Sequence, residues 1–399
     1  MTTNFIPAQR VASMQSSSTL AVLQKAENLR RAGYEVYDLG AGEPDFNTPN
    51  NIKLAAHKAI DENFTRYTPA AGTVEIKRAI IDYIAANTGA NYNPQQVVVS
   101  AGGKQTIFNA IVTLINPGDD VLIPAPYWVT FPEIVTFAGA NSVIIDTESN
   151  GFQLTAEMVE AHLTPKSRLL ILNSPSNPSG RVVDPKEFER IAEVVVKNNL
   201  WLLSDECYYQ FTYQPHKPFS AASLRDELRA RTLVSGSLSK TYAMTGWRLG
   251  YALGPQDWIA EMVKVQSHST SNPASISQKA AIEALSGSQE SLKEMLYEYR
   301  RRRDYLIPAL NQIEGIECVE PEGAFYAFPN VKKVLDSNSK IKSSADLADY
   351  LLEEAHIALT AGSAFGTEGY LRISYATSME ILQRAIDKMT EAIVKLVKG

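Results

Sequence analysis

Thr232-Leu233-Val234-Ser235-Gly236-Ser237-Leu238-Ser239-Lys240-Thr241-Tyr242-Ala243-Met244-Thr245-Gly246-Trp247-Arg248 begins as an apolar strand. It gives way to small hydroxyl residues, one lysine and, eight positions later, one arginine. A lysine whose surroundings lower its proton affinity offers a neutral amine that attacks carbonyl carbon. Ser237, Ser239 and Arg248 add hydroxyl donors and a fixed positive charge, the chemistry that holds a phosphate group. The alternative reading of the lysine and arginine alone is a solvated loop, so the rest of the chain has to decide between the two.

Working outward, the pattern from about residue 50 to 255 alternates strand and helix. Val97-Val98-Val99, Val121-Leu122-Ile123, Val143-Ile144-Ile145, Leu169-Leu170-Ile171-Leu172, Leu200-Trp201-Leu202-Leu203 and Leu249-Gly250-Tyr251-Ala252-Leu253 read as strands. This predicts an α/β fold: a large domain with a mainly parallel sheet flanked by helices, plus a smaller α/β domain. The boundaries are set at 1–48 for an N-terminal arm and small-domain segment, 49–290 for the large domain and 291–399 for the small C-terminal domain. Ser17-Ser18-Thr19 offers N-cap candidates for a helix through about Arg31, with Val22, Leu23, Ala26 and Leu29 on one side and Gly33 as its stop. Asp184-Pro185 opens another helix, with Phe188, Ile191, Ala192 and Val195 as its buried face.

Polar groups gather where these strands stop. Gly102-Gly103-Lys104 follows the first strand and opens a helix, which makes either an anion site or a plain tight turn. Trp128 follows the second and is either a core residue or a surface on which a planar ring stacks. Asn177 follows the fourth; Asp205 ends the fifth, as a helix cap or as the charge partner of something bound. Gly42, in Gly40-Ala41-Gly42-Glu43-Pro44-Asp45-Phe46, is a turn or a close backbone approach. Open α/β sheets bind ligands outside the C-terminal ends of their strands, and the glycine turn, Trp128, Asn177, Asp205 and Lys240 all fall there together. That concurrence favours a site.

Composition narrows the class. The 399 residues are 45% hydrophobic, enough for a sizeable core, and the net charge of −6 speaks against nucleic-acid binding. Two cysteines exclude a disulfide framework. No apolar run is long enough for a membrane span, Met1-Thr2-Thr3-Asn4-Phe5 lacks signal-peptide character, and a cytoplasmic location is expected. The five histidines lack metal-ligand spacing, so no metal is expected. The run Arg300-Arg301-Arg302-Arg303 cannot form one helix face and reads as solvated or locally paired charge.

With these residues assembled, the chain resembles the class I aminotransferases of the fold type I pyridoxal-phosphate enzymes, and among them the bacterial-type aspartate aminotransferases. The resemblance runs from Ser17 to the last helix. It rests on Ala41-Gly42-Glu43-Pro44-Asp45-Phe46, Tyr67-Thr68-Pro69-Ala70-Ala71-Gly72, Gly102-Gly103-Lys104-Gln105, Pro126-Tyr127-Trp128, Asn177-Pro178-Ser179-Gly180, Ser204-Asp205-Glu206, the Lys240 stretch and Arg372-Ile373-Ser374-Tyr375. It implies pyridoxal 5'-phosphate as cofactor, held by Lys240, with Lys240 also moving the substrate proton. It further implies Asp205 at the pyridine nitrogen, Tyr208 and Asn177 at the ring's phenolic oxygen, and Trp128 stacked on the ring. Gly103, Lys104, Ser237, Ser239 and Arg248 would surround the phosphate, with Tyr67 reaching that of the neighbouring subunit in a homodimer. Arg372 would clamp the substrate α-carboxylate beside Gly42, and Lys104 would meet a distal carboxylate.

Amino acids and 2-oxo acids are then the small-molecule partners, and transamination between L-aspartate and 2-oxoglutarate the favoured reaction. An aromatic, broad-specificity or prephenate aminotransferase is the alternative within the fold. Gln15 stands where some prephenate-accepting relatives carry a basic residue, which lowers the prephenate option without removing it. A regulator built on such a domain would need a basic DNA-binding module, which this sequence lacks.

Overall fold

The computed structural model describes residues 5–15 and 18–398. Twelve strands occur there in chain order: β1 (Tyr37–Asp38), β2 (Val97–Ser100), β3 (Asp120–Ala125), β4 (Asn141–Asp146), β5 (Ser167–Asn173), β6 (Trp201–Asp205), β7 (Thr232–Ser237), β8 (Gly250–Leu253), β9 (Tyr326–Ala327), β10 (Ile357–Ala358), β11 (Thr360–Ala361) and β12 (Leu371–Ser374). Seven of them form the central sheet in the order β2-β8-β7-β6-β5-β3-β4. Its pairs are parallel from β7 through β4, and β8 alone runs antiparallel, between β7 and β2. The mainly parallel sheet expected from the alternating pattern is what the chain forms.

Continuous apolar runs suit strands covered on both faces, because successive side chains point to opposite sides. Val97, Val99, Leu122, Leu170, Leu172, Leu202 and Val234 pack on one side, against the helices Asn50–Asp61, Val74–Thr88, Pro185–Lys197 and Ser275–Ser286. Val98, Val121, Ile123, Leu169, Ile171, Leu203 and Leu233 pack on the other, against the helices Gly103–Leu114, Thr130–Phe137 and Gln256–Ser267. Asp184 caps its helix as the sequence implies, accepting from the N–H groups of Lys186 and Glu187 at 2.9 and 3.3 Å.

A separate core joins the C-terminal helices Glu290–Asn311, Ser344–Ala355 and Met379–Lys398 to the short sheet β11-β12-β9. Tyr37 and Leu39 belong to this core, and β1 pairs parallel to β10, so the N-terminal segment packs with the C-terminal part of the chain. The helix Ser18–Arg31 lies there too, with Val22, Ala26 and Leu29 against Leu352 and Ala358. Ser17 as a cap and the Leu23 side chain fall outside the described residues. Gly33, with φ +93°, follows the end of that helix. No helix among the described residues is long and apolar enough to cross a membrane.

The arginine run departs from expectation. Arg300 and Arg301 are locally paired, with Asp304 and Glu298. Arg302 and Arg303 are instead buried. Arg302 grips Asp45 through two bonds of 2.7 and 2.9 Å, and Arg303 donates to Pro321 O and pairs with Asp304 and Glu320. The four do diverge around the helix, as the 100° step requires; Arg302 turns inward to a distant segment, and Arg303 turns inward to its neighbour Asp304 and to the segment just beyond the helix.

Candidate active site

The C-terminal edge of the sheet is set by register. Asn173, Asp205 and Ser235 stand side by side on β5, β6 and β7; β5 and β6 end there in polar turns, and β7 runs on to Ser237 before the short helix Leu238–Thr241. Those turns, the β2 turn, the β3 turn and two segments of the C-terminal part enclose a cavity of about 560 Å³. Gly42, Gly103, Lys104, Trp128, Asn177, Asp205, Tyr208, Ser237, Ser239, Lys240, Arg248 and Arg372 all line it. Tyr67 does not. It is 91% exposed on the outer surface of the chain.

One wall is arranged for an anion. The helix Gly103–Leu114 starts at Gly102 with no side-chain cap, so its first N–H groups are left to whatever occupies the cavity. Gly102 has φ +91°, and a Cβ there would stand 2.9 Å from Arg248 Cζ, so the guanidinium can lie against the turn only because the residue is glycine. Arg248, itself left-handed at φ +51°, is held by a 2.7 Å bond from Nη1 to Thr245 O. Ser237 Oγ accepts from Ser239 N at 3.1 Å. Lys104 reaches over the Trp128 ring, 5.0 Å from its centroid, and burial together with the Arg248 charge lowers its proton affinity.

The floor holds two groups of opposite character. Asp205 is 5% exposed, and its carboxylate accepts one hydrogen bond among the described residues, from Cys207 N at 3.2 Å. Burial pushes its pKa from 3.8 to about 7, a site that calls for a cation from the cavity. Turns rather than a helix follow it, so capping is not its use. Lys240 follows β7, and its Nζ donates to Gly42 O. Burial lowers its proton affinity, partly offset by Cys207 and Glu43. Tyr208 OH pairs with Tyr326 OH at 2.8 Å, and burial raises the pKa of both hydroxyls.

The remaining wall is cationic. Arg372, alone a plausible solvated strand residue, is 3% exposed. Its Nη1 donates to Asn177 Oδ1 at 3.1 Å and its Nη2 to Gly40 O at 2.7 Å, while Nε has no partner among the described residues. Asn177 is itself fixed by Asn173, whose Oδ1 accepts from Asn177 N at 2.8 Å. Tyr326 lies under the guanidinium, 4.7 Å from Cζ to its centroid. Tyr326, on β9, was not assigned to the site from the sequence, and no local pattern of residues marks it. Glu43 and Thr245, bonded at 2.9 Å, also line the cavity without having been singled out.

A buried amine, a buried carboxyl wanting a cation, an uncapped helix start and a half-satisfied arginine fit a ring that carries a carbonyl, a basic nitrogen and an anionic group. The family profile described as aminotransferase class I and II matches residues 34–389. The chain belongs to the class I and II aminotransferases. This aminotransferase is 43% identical to the aspartate aminotransferase of Geobacillus stearothermophilus over 96% of its own length and 97% of the relative's. It is 44% identical to the aspartate/prephenate aminotransferase of Cereibacter sphaeroides, over 94% and 95%. The crystal structure of the Rhizobium meliloti aspartate aminotransferase superposes on it with a TM-score of 0.94 at 42% identity, covering 98% of the aminotransferase and all of the other chain.

Proposed function

We propose that the enzyme exchanges amino groups between L-aspartate and 2-oxoglutarate, giving oxaloacetate and L-glutamate, with pyridoxal 5'-phosphate held in the cavity. The observation that carries this reading is that Lys240, Asp205 and Arg372 share one cavity, as amine, carboxyl and unfilled guanidinium. The cofactor supplies an aldehyde carbon and a protonated ring that takes up the electron pair left when Cα loses its proton.

The chain's own residues do the rest. Lys240 Nζ, desolvated and of lowered basicity, would hold the cofactor's aldehyde carbon and would carry the proton taken from the substrate Cα to that carbon. Asp205, ionised beside a ring N–H, keeps that proton in place. Asn177 and Tyr208 orient the ring through its phenolic oxygen and Trp128 covers it. Gly103, Lys104, Ser237, Ser239 and Arg248 hold the phosphate. Arg372 takes the α-carboxylate with Gly42 beside it, and Lys104 meets the distal carboxylate of an acidic substrate. Tyr67, exposed on its own chain, reaches the phosphate of a second copy, which makes the working unit a homodimer with shared sites.

The name of the Cereibacter sphaeroides relative keeps prephenate as the second reading, and Gln15, which is exposed with its N–H on Glu133 Oε2 at 2.8 Å, brings no cation to it. The test is the visible absorption of the purified, cofactor-loaded protein before and after L-aspartate or L-phenylalanine. A spectral change with aspartate, accompanied by oxaloacetate, supports the reading. A change mainly with phenylalanine moves the substrate, and no band after adding cofactor refutes the reading.

A further inference from the structure

Arg302 lies outside the cavity, yet it joins the two segments that carry the carboxylate wall. Its guanidinium forms a fork with Asp45, Nη1 to Oδ1 at 2.7 Å and Nη2 to Oδ2 at 2.9 Å, and Nη1 also points at Tyr375 O at 3.4 Å. Its side chain is 6% exposed and sits 5.2 and 5.5 Å from the ring centroids of Phe46 and Tyr299. Asp45 and Phe46 end the turn that begins at Gly40, and Tyr375 directly follows the strand of Arg372. The two segments meet again where Ser374 N donates to Leu39 O at 2.7 Å and where Arg372 Nη2 donates to Gly40 O. The same turn offers Gly42 O to Lys240 Nζ. Leu39 through Phe46 is therefore a strap, attached at one end to β12 and at the other to Arg302. It has no internal helix or strand to hold its shape.

We propose that Arg302 is a positioning residue for substrate carboxylate: through Asp45 it fixes the strap whose Gly40 carbonyl aims Arg372. A planar fork gripping both carboxylate oxygens fixes direction as well as distance, which a lysine in its place cannot do. The inference rests on the reading of Arg372 as the carboxylate clamp. An Arg372 displaced by a fraction of an ångström still carries its charge, so the loss falls on ground-state carboxylate binding and leaves the proton transfer at Lys240 largely intact.

The experiment compares the holoenzymes R302Q, R302K, D45N and R302Q/D45N, with R372K as control. It measures kcat and KM for L-aspartate and, by calorimetry, the Kd of succinate, a dicarboxylate that cannot react. R302Q and D45N should each raise KM and Kd about tenfold with kcat changed by less than about threefold, and the double variant should be no worse than the poorer single one. R302K should recover part of the affinity. Unchanged KM and Kd in R302Q and D45N, or a fall in kcat alone that tracks the active fraction, overturns the proposal. D45N decides if R302Q does not fold. If R372K also leaves the succinate Kd unchanged, the clamp reading falls and takes this inference with it; if R372K weakens binding and the other variants do not, this inference fails alone.

Discussion

Removing the water around Lys240 costs its ammonium form more than its amine form, and that difference is the source of the reactivity we propose for it. Lys240→Ala should lower turnover by about a thousandfold or more while phosphate-side retention of the cofactor partly survives, seen in single-turnover rates and in cofactor released on dialysis. Normal turnover in that variant would refute the mechanism. Asp205 makes the opposite demand. Its pKa rises from 3.8 to about 7 on burial, so between those values the folded apoenzyme binds more protons than the unfolded chain. Stability contributed by this group is present below about pH 4 and is lost as pH rises through about 7. Glu206, raised to about 7 by the same burial, adds to the slope. Denaturant midpoints of the apoenzyme should therefore fall as pH rises from about 4 to about 7, the slope should be shallower in D205N, and bound cofactor should flatten it in the wild type. Equal slopes in D205N and wild-type apoenzyme would count against the buried carboxyl as their source.

At the scale of the element, the start of the helix Gly103–Leu114 is the most exacting joint. Gly102 combines a left-handed backbone with the close approach of Arg248, so Gly102→Ala meets both backbone strain and a clash. It should weaken cofactor binding by about tenfold or more, with little change in the KM of substrate in the cofactor-saturated enzyme; equilibrium titration of the apoenzyme checks this. Elements of this kind were legible in the sequence. Val97-Val98-Val99 declares a doubly covered strand, and the glycines that follow declare a turn, because both signals lie within a few neighbouring residues. Arg372 and Arg302 were not legible from the residues alone. Each stands in a local pattern that fits a solvated residue, and what buries them is Gly40, Asn177, Asp45 and Tyr375, groups up to 332 positions away. The role of Arg372 reached the sequence reading through family resemblance, whereas that of Arg302 had no such guide.

For the whole molecule, the exposure of Tyr67, outside the cavity that the other site residues line, bears on assembly. If sites are shared between two copies, Tyr67→Ala and Lys240→Ala damage complementary halves. Mixed dimers of the two variants would then hold one intact site and regain roughly half the activity of the wild-type dimer, although neither variant alone is active at low cofactor concentration. Mixed and unmixed preparations assayed side by side settle it, and no gain on mixing would place Tyr67 outside the site.

The pairing of β1 with β10 has a consequence for the order of events during synthesis. Tyr37 finds its partner Ile357 only after 320 more residues have been added, and Gly40 waits still longer for Arg372. At about 5–20 residues per second, the first strand emerges roughly 15 to 60 seconds before the segment it must join. The central sheet, whose strands follow one another closely, can assemble in that interval with its lysine and aspartate in place. The strand β12, which carries Arg372, comes after all of these, so a chain that stalls before it has Lys240 and Asp205 in place and lacks the guanidinium that we assign to the substrate carboxylate.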